Sequence, residues 1–322
     1  MQLITGGSGL LGQALTRHLL DRNETVRVLD LHPAPGLAPR VKFLAGSILD
    51  RDLVGRAVAG ASVVYHLAAA MPQARLSPEG FHELNVGGTM LVAEAAAAAG
   101  VRRLVFASTI EIYGLHLRHE FPVREEAEKR FTGTYSRNKW ECEQRLSELS
   151  ARTGMSVAFT RMPMIFGPGF YHERSMLTLF RLLRRGWPVP VVADPDAPWA
   201  SVSAADGAQG LWLCATVPAA AGEAFNIAAA DAPACRDLLL ELAALAGSRS
   251  RPVLLPRPLL ETGVALMERF PRLSPTPAEL VRFALVGGVY SIDKARAVLG
   301  YEPRLRAAEG MLQALNFVCP RK

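Results

Sequence analysis

The chain has 322 residues, 50% apolar and 20% charged, enough for a large core in one domain or two closely coupled ones. Its net charge is +6, but the basic residues are scattered in short runs such as Arg102-Arg103 and Arg184-Arg185, which excludes the basic–aromatic stripe of a nucleic-acid-binding surface. Cys142, Cys214, Cys235 and Cys319 are far apart and never at metal-ligand spacing, so buried thiols in a reducing, cytoplasmic setting and no bound metal are expected.

Neither a signal peptide nor a membrane span is expected, because the chain has no leading basic segment with an apolar run and no stretch of about 18 uncharged apolar residues. "MQLIT" opens as a short strand, "GGSGLLG" follows as a glycine turn, and "QALTRHLLDRN" has helical periodicity. Strands are predicted at "TVRVLD" (Thr25–Asp30), "VKFLAGSILD" (Val41–Asp50) and, after a helix, "ASVVYHLAAA" (Ala61–Ala70). "TMLVAEAAAAAG" (Thr89–Gly100) is an Ala-rich helix stopped by its glycine. "RLVFAST" (Arg103–Thr109) gives a fifth strand, "TYSRNKWECEQ" begins a helix, and "MSVAFTRM" (Met155–Met162) gives a sixth strand. Apolar strands alternating with helices predict an α/β fold with a parallel sheet covered on both faces.

Beyond "GPG" (Gly167–Gly169) prolines become frequent and the alternation loosens. A first domain over 1–166 and a smaller, irregular lobe over 167–322 are expected, with about 203–228 returning to the first domain through the strand "EAFNIA" (Glu223–Ala228). "LLETGVALMERF" (Leu259–Phe270) is amphipathic but too short to cross a bilayer; a surface helix and a membrane-facing one both fit.

Gly6, Gly9 and Gly12 recur every three residues between the first strand and first helix. Glycines there permit a tight turn and close approach of a pyrophosphate, and the helix N-terminus offers free N–H groups. Asp30 ends the second strand, where a carboxylate accepts hydrogen bonds from ribose hydroxyls and repels a 2′-phosphate. Leu31, His32 and Pro33 follow with no arginine, so NAD is expected over NADP, although Arg27 or Arg40 could approach from elsewhere. Tyr135 and Lys139 lie four apart on a helix and share a face; the spacing permits a working pair and equally describes two solvated side chains.

The Gly-x-x-Gly-x-x-Gly turn, "YHLAA", "NVGGT" (Asn85–Thr89), "STIEIYG" (Ser108–Gly114), Tyr135-x-x-x-Lys139 and "RMPMIFGPG" (Arg161–Gly169) occur in an order that resembles the extended short-chain dehydrogenase/reductase family, whose members are NAD-dependent epimerase/dehydratase-like. "YSIDKARAVLGYEPR" (Tyr290–Arg304) is similar to its closing segment, so the resemblance covers nearly the whole chain. It implies a Rossmann-type doubly wound sheet with a smaller substrate lobe. It also implies NAD held against Gly6, Gly9, Leu10, Leu11 and Gly12, against Asp30 and Leu31, against Ser47 and Ile48, and against Leu67, Ala68 and Ala69, with Pro163 and Ile165 along the nicotinamide. "GSILD" departs from the family's usual Gly-Asp-x-x-Asp, since Ser47 stands where an acid meets the adenine amine; a modestly weaker adenine contact is expected.

The same resemblance makes Thr109, Tyr135 and Lys139 the expected catalytic residues. A phenol titrates near ~10, and an ammonium one helical turn away would lower that value and make Tyr135 a competent acid/base at a substrate oxygen. Thr109 would hydrogen-bond that oxygen, and Lys139 would also bind the nicotinamide ribose.

Three departures bear on the chemistry. Dehydratase members resemble one another in "TDEVYG"; here Ile110 replaces the acid, and Glu111 is read as structural on the substrate side. Met164 stands where nucleotide-sugar members carry Asn, and Trp199 stands roughly where they carry Arg, ahead of the stretch ending at Asp206. Phosphates need donors and positive charge, whereas these residues offer apolar surface. The C-terminal segment resembles the branch with 3β-hydroxysteroid dehydrogenases and dihydroflavonol-type reductases. The reading is an NAD-dependent oxidoreductase acting on a moderately apolar secondary alcohol or ketone, with walls from Met71 to Gln73, Leu115 to Leu117, Met164, Phe170 to His172 and Trp199. A nucleotide-sugar epimerase and, last, an idle NAD-binding sensor or scaffold are the alternatives. A homodimer is expected through the Ala-rich helix and the Tyr135 helix, with Trp140 turned away from the catalytic face.

Overall fold

The protein is described here by a computed structural model covering residues 1–35, 39–72, 74, 76–114, 120–131, 133–170, 174–191, 194–255, 257–269 and 286–320. In chain order the first elements are β1 (Gln2–Thr5), α1 (Leu10–Leu20), β2 (Val26–Asp30), β3 (Lys42–Ala45), α2 (Arg51–Val58) and β4 (Val63–His66). Then come α3 (Pro78–His82), one wide π turn (Glu83–Gly87), α4 (Gly88–Ala98), β5 (Arg103–Thr109), a 3₁₀ turn (Ile110–Tyr113), α5 (Thr134–Thr153) and β6 (Ser156–Met162). The rest comprises β7 (Met164–Phe166), α6 (Arg174–Arg185), β8 (Val189–Val191), β9 (Ser201–Ser203), α7 (Ala204–Thr216), β10 (Ala224–Asn226), α8 (Cys235–Leu245), β11 (Pro252–Leu254), α9 (Arg257–Arg269) and α10 (Ala307–Val318).

Seven strands form one parallel sheet in the order β10-β6-β5-β4-β1-β2-β3. Alternate residues of each central strand feed opposite faces. Ile4, Val28, Tyr65, Val105 and Ala158 join the core under α1 and α7, while Leu3, Leu29, Val64, Leu104 and Phe106 join the core under α2, α4 and α5. Both faces are therefore covered, which explains why the strands read as unbroken apolar runs.

Two predicted strands are shorter than their apolar runs. The third ends at Ala45 because Gly46 turns the chain with φ +151°, and the fourth ends at His66, after which 67–70 leaves the sheet. "EAFNIA" does supply a sheet strand: β10 pairs with β6 in the register Ala224↔Phe159 to Asn226↔Arg161. The later chain adds two small parallel pairs, β7 with β9 and β8 with β11. Asp206, in the first turn of α7, accepts the N–H groups of Arg304 and Leu305 at 3.0 and 3.2 Å and ties the closing segment to that helix.

The strand order reverses between β1 and β4. In an open parallel sheet that reversal leaves a crevice beyond the strands' C-terminal ends, which is where ligands bind in such folds.

Candidate active site

The glycine turn lies at that crevice. Gly6 has φ +73°, and a Cβ there would lie 2.6 Å from the backbone nitrogen of Ala68 beyond β4. A Cβ on Gly12 would lie 2.5 Å from the carbonyl oxygen of Gly6. The chain's own packing therefore dictates both. Gly9 is different: a Cβ would meet only the Gly6 oxygen at 3.4 Å, and the residue is exposed. It precedes α1, whose N-terminus carries no side-chain cap. Bare backbone at an uncapped helix N-terminus fits a pyrophosphate.

Asp30 is half-buried at the end of β2. Its Oδ2 accepts the Ser8 N–H at 2.9 Å and its Oδ1 accepts the Leu31 N–H at 2.7 Å, while Ser8 Oγ donates to the His32 carbonyl at 2.6 Å. The carboxylate thus holds the glycine turn against β2, a duty the sequence did not announce. Arg27, one of the two cations that could have served a 2′-phosphate, donates instead to the carbonyls of Arg56, Ala57 and Ala59 at the end of α2. Leu31 is 57% exposed beside this turn; Leu10 and Leu11 are buried, and Ser47 and Leu67 to Ala69 are half-buried. Ile48 is buried against Gly88, where a Cβ would lie 2.6 Å from its side chain.

Beneath the crevice runs a polar chain through His66, Asn85 and Thr89, residues of the "YHLAA" and "NVGGT" motifs to which the sequence reading gave no role. Thr89 Oγ1 donates to the Asn85 carbonyl at 2.5 Å, so it accepts from His66 Nε2 at 2.9 Å, and His66 Nδ1 accepts from Thr5 at 2.7 Å. Burial, helped by the nearby Lys139 charge, lowers the His66 pKa to about 3 and keeps the ring neutral. Asn85 clamps Ala70 from both sides, accepting its N–H at 2.7 Å and donating to its carbonyl at 3.1 Å. This double bond fixes the loop that holds Leu67 to Ala69.

Thr109, Glu111, Tyr135 and Lys139 come from the end of β5, the 3₁₀ turn and the first turns of α5. Thr109 Oγ1 accepts the Glu111 N–H at 3.2 Å, which leaves its hydroxyl proton to donate elsewhere. Lys139 is buried; its Nζ donates to the Ala107 carbonyl at 2.7 Å and stands 4.5 Å from the Phe106 ring centre and 5.7 Å from that of Tyr135. Burial lowers its pKa to about 8, against smaller opposing contributions from Cys142, Glu143 and Glu111. Tyr135 is half-buried, edge-on to Phe81 at 6.4 Å between ring centres. Its phenol is pushed above the ordinary range, first by burial and then by the Glu111 charge. This corrects the expected lowering: the ammonium shares the helix face but is held on the Ala107 carbonyl, and desolvation wins.

The same face of α5 continues one turn further to Glu143, which sequence spacing could have flagged at positions 135, 139 and 143. Glu143 accepts Ser108 Oγ at 2.5 Å, Arg161 Nε at 3.1 Å and Arg161 Nη2 at 2.6 Å, with both charged side chains buried. Arg161 also donates to Tyr113 Oη and the Glu125 carbonyl, each at 2.9 Å. Tyr113 donates to Asn226 Oδ1 at 2.9 Å, and Asn226 Nδ2 reaches the carbonyls of Val123 and Ser291, each at 3.2 Å.

On the opposite side, Pro163 is buried, and Met164 and Ile165 are half-buried on β7, where Met164 pairs in register with Ser201. Trp199, two residues before Ser201, is buried in the same apolar cluster against which Met164 packs. Met71 is 43% exposed at the crevice rim. Gln73, Leu115 to Leu117, Tyr171 and His172 lie outside the described residues. Trp140 is half-buried against the apolar cluster that contains Tyr113 and Tyr290, with Lys129 and Arg161 at 5.6 and 5.9 Å from its ring centre.

The profile of the NAD dependent epimerase/dehydratase family matches residues 2–228, and the chain belongs to that family. It is thus an enzyme of the extended short-chain dehydrogenase/reductase type with NAD as its cofactor. The chain is 29% identical to the 2-alkyl-3-oxoalkanoate reductase of Stenotrophomonas maltophilia, over 96% of each chain. It is 40% identical to human 3 beta-hydroxysteroid dehydrogenase type 7, over 35% of this chain and 33% of that one. The fold superposes on the UDP-glucose 4-epimerase of Thermotoga maritima with a TM-score of 0.78 and 22% identity, over 98% of this chain and 97% of that one. No helix among the described residues is long and apolar enough to cross a membrane.

Proposed function

We propose that the protein interconverts a secondary alcohol and a ketone on a moderately apolar small molecule. The observation that carries this reading is the packing of Met164 and Trp199 into one apolar cluster at positions where a diphosphate-bearing substrate needs donors and cations. The near-full-length likeness to a 2-alkyl-3-oxoalkanoate reductase supports it.

The glycine turn, Asp30 and the loop of Leu67 to Ala69 would hold the dinucleotide, with Pro163 and Ile165 beside the nicotinamide. Bound NAD would accept or supply the hydride. Tyr135, which retains its proton in this state, would give it to a carbonyl oxygen in reduction and take it back in alcohol oxidation. The Thr109 hydroxyl would donate to the same oxygen. Lys139 would move from the Ala107 carbonyl toward the ribose and the phenol, where its charge favours the phenolate. In this reading 167–322 forms the substrate lobe, apart from the return through β10.

The test is hydride transfer to NAD+ across secondary alcohols, run beside interconversion of UDP-glucose and UDP-galactose. Turnover of apolar alcohols with no sugar interconversion is expected. Sugar interconversion without net reduction of NAD would replace this reading with the epimerase.

A symmetric dimer through α4 and α5 is also proposed, supported by the small side chains of α4. Because Trp140 packs inside its own chain, light scattering on the wild type is the direct measurement. A monomer at micromolar concentration would end the idea.

A further inference from the structure

Two stretches of the chain contain no acidic residue, 174–193 and 242–260. The fold brings them together. β8 and β11 pair in the register Val189↔Pro252 to Val191↔Leu254, the Val189 N–H donates to the Arg251 carbonyl at 3.0 Å, and a Cβ on Gly186 would touch Arg249. Basic residues that are scattered along the sequence become neighbours on one face.

Arg181, Arg185, Arg249 and Arg251 are all exposed there, and none forms a salt bridge with a described carboxylate. Between them the apolar surface is also open. Trp187 is 54% exposed, with the Arg185 guanidinium 5.2 Å from its ring centre, and Val253 is 45% exposed on the outward side of the small sheet, level with exposed Pro190. α9 follows β11 in the chain and exposes Leu259 and Leu266, seven residues apart on one helix face.

We propose that this face docks on an anionic lipid surface. Unpaired guanidinium groups are attracted to lipid phosphates, while an indole and aliphatic side chains gain by entering the headgroup boundary. The apolar component separates this from a nucleic-acid face, where phosphates account for the cations and nothing accounts for Val253, Leu259 and Leu266. A second copy is disfavoured, because an isologous contact would set four arginines against four arginines. The arrangement is peripheral binding, independent of which substrate the crevice takes.

The experiment is sedimentation of the whole protein with phosphatidylcholine vesicles, with and without phosphatidylglycerol, at low and high salt. Binding to the anionic vesicles alone, released by salt, is expected. R185E/R251E should weaken it at least about tenfold, since each cation near such a surface matters strongly. The wild type should show a blue shift of tryptophan emission on binding that W187A lacks. NAD affinity in both variants reports that they are folded. No vesicle binding, equal binding to neutral vesicles, or binding to duplex DNA in place of vesicles would each overturn the proposal.

Discussion

Lys139 shows how much the site costs the fold. Its pKa falls from the ordinary 10.5 to about 8, which amounts to roughly 3 kcal/mol of destabilisation at neutral pH. A lysine whose folded pKa is depressed carries that penalty in full below about 8, and it is relieved as pH rises toward the unfolded value. Lys139→Met, similar in length and uncharged, is therefore expected to match or exceed the wild-type unfolding midpoint at pH 7 while abolishing turnover. A strongly destabilised Lys139→Met would show that the bond to Ala107 outweighs the burial. Tyr135→Phe should lower kcat by about 10²- to 10⁴-fold with little change in NAD affinity, since it removes the proton-transfer group alone. Asp30→Asn should weaken NAD binding by about tenfold or more, because a charged acceptor is lost, and should also raise protease cleavage in the glycine turn it clamps. Calorimetric titration and limited proteolysis read the two effects separately. These residues were legible because motif spacing marks them; the clamp on Ser8 was not, because a hydrogen bond to a backbone amide leaves no trace in side-chain identity.

The Tyr135 helix is fixed by buried charge. Glu143 on α5 meets Arg161 on β6 and Ser108 on β5, so one side chain sets the helix against two strands. Glu143→Gln should cost about 3 to 5 kcal/mol, because it leaves the buried guanidinium uncompensated. Glu143→Gln with Arg161→Met should cost less than the sum of the singles in urea denaturation; simple additivity would mean that the pair is not coupled. Long elements such as α5 and β5 were readable from periodicity and unbroken apolar runs. The pairs β7–β9 and β8–β11 were not, because three-residue strands are too short to show a period, and their partners lie far apart in sequence.

For the molecule as a whole, His66 predicts sensitivity to acid. A histidine held neutral down to about 3 stays unprotonated in the fold while the unfolded chain takes up a proton below about 6.5. Stability then falls as pH drops through that window, by about 2 kcal/mol between pH 7 and pH 5 from this residue. His66→Gln keeps a donor and an acceptor for Thr89 and Thr5 and should flatten that part of the profile. An unchanged slope would place the titrating group elsewhere. The sheet class followed from alternation alone, and the ordered motifs marked the cofactor turn and the Thr109, Tyr135 and Lys139 set; the crevice between them follows from the strand order. The basic face escaped notice because its arginines are distant in sequence and meet only through β8 and β11.

Asn226 has a consequence for synthesis. It ends β10, receives Tyr113, and donates onward to the carbonyls of Val123 and Ser291. Phe225 beside it is fully buried in the main core, and Arg103 on β5 reaches the carbonyls of Cys214 and Val217 at 2.9 and 2.6 Å. The polar knot under Tyr135 is thus unfinished until translation has passed residue 291. A nascent chain that has exposed every glycine, threonine, tyrosine and lysine of the site would still present β6 as a bare sheet edge, open to pairing with other chains. Release of a fragment ending near residue 166 should yield aggregate, and the competent enzyme should form late, with most of the polypeptide already out of the ribosome.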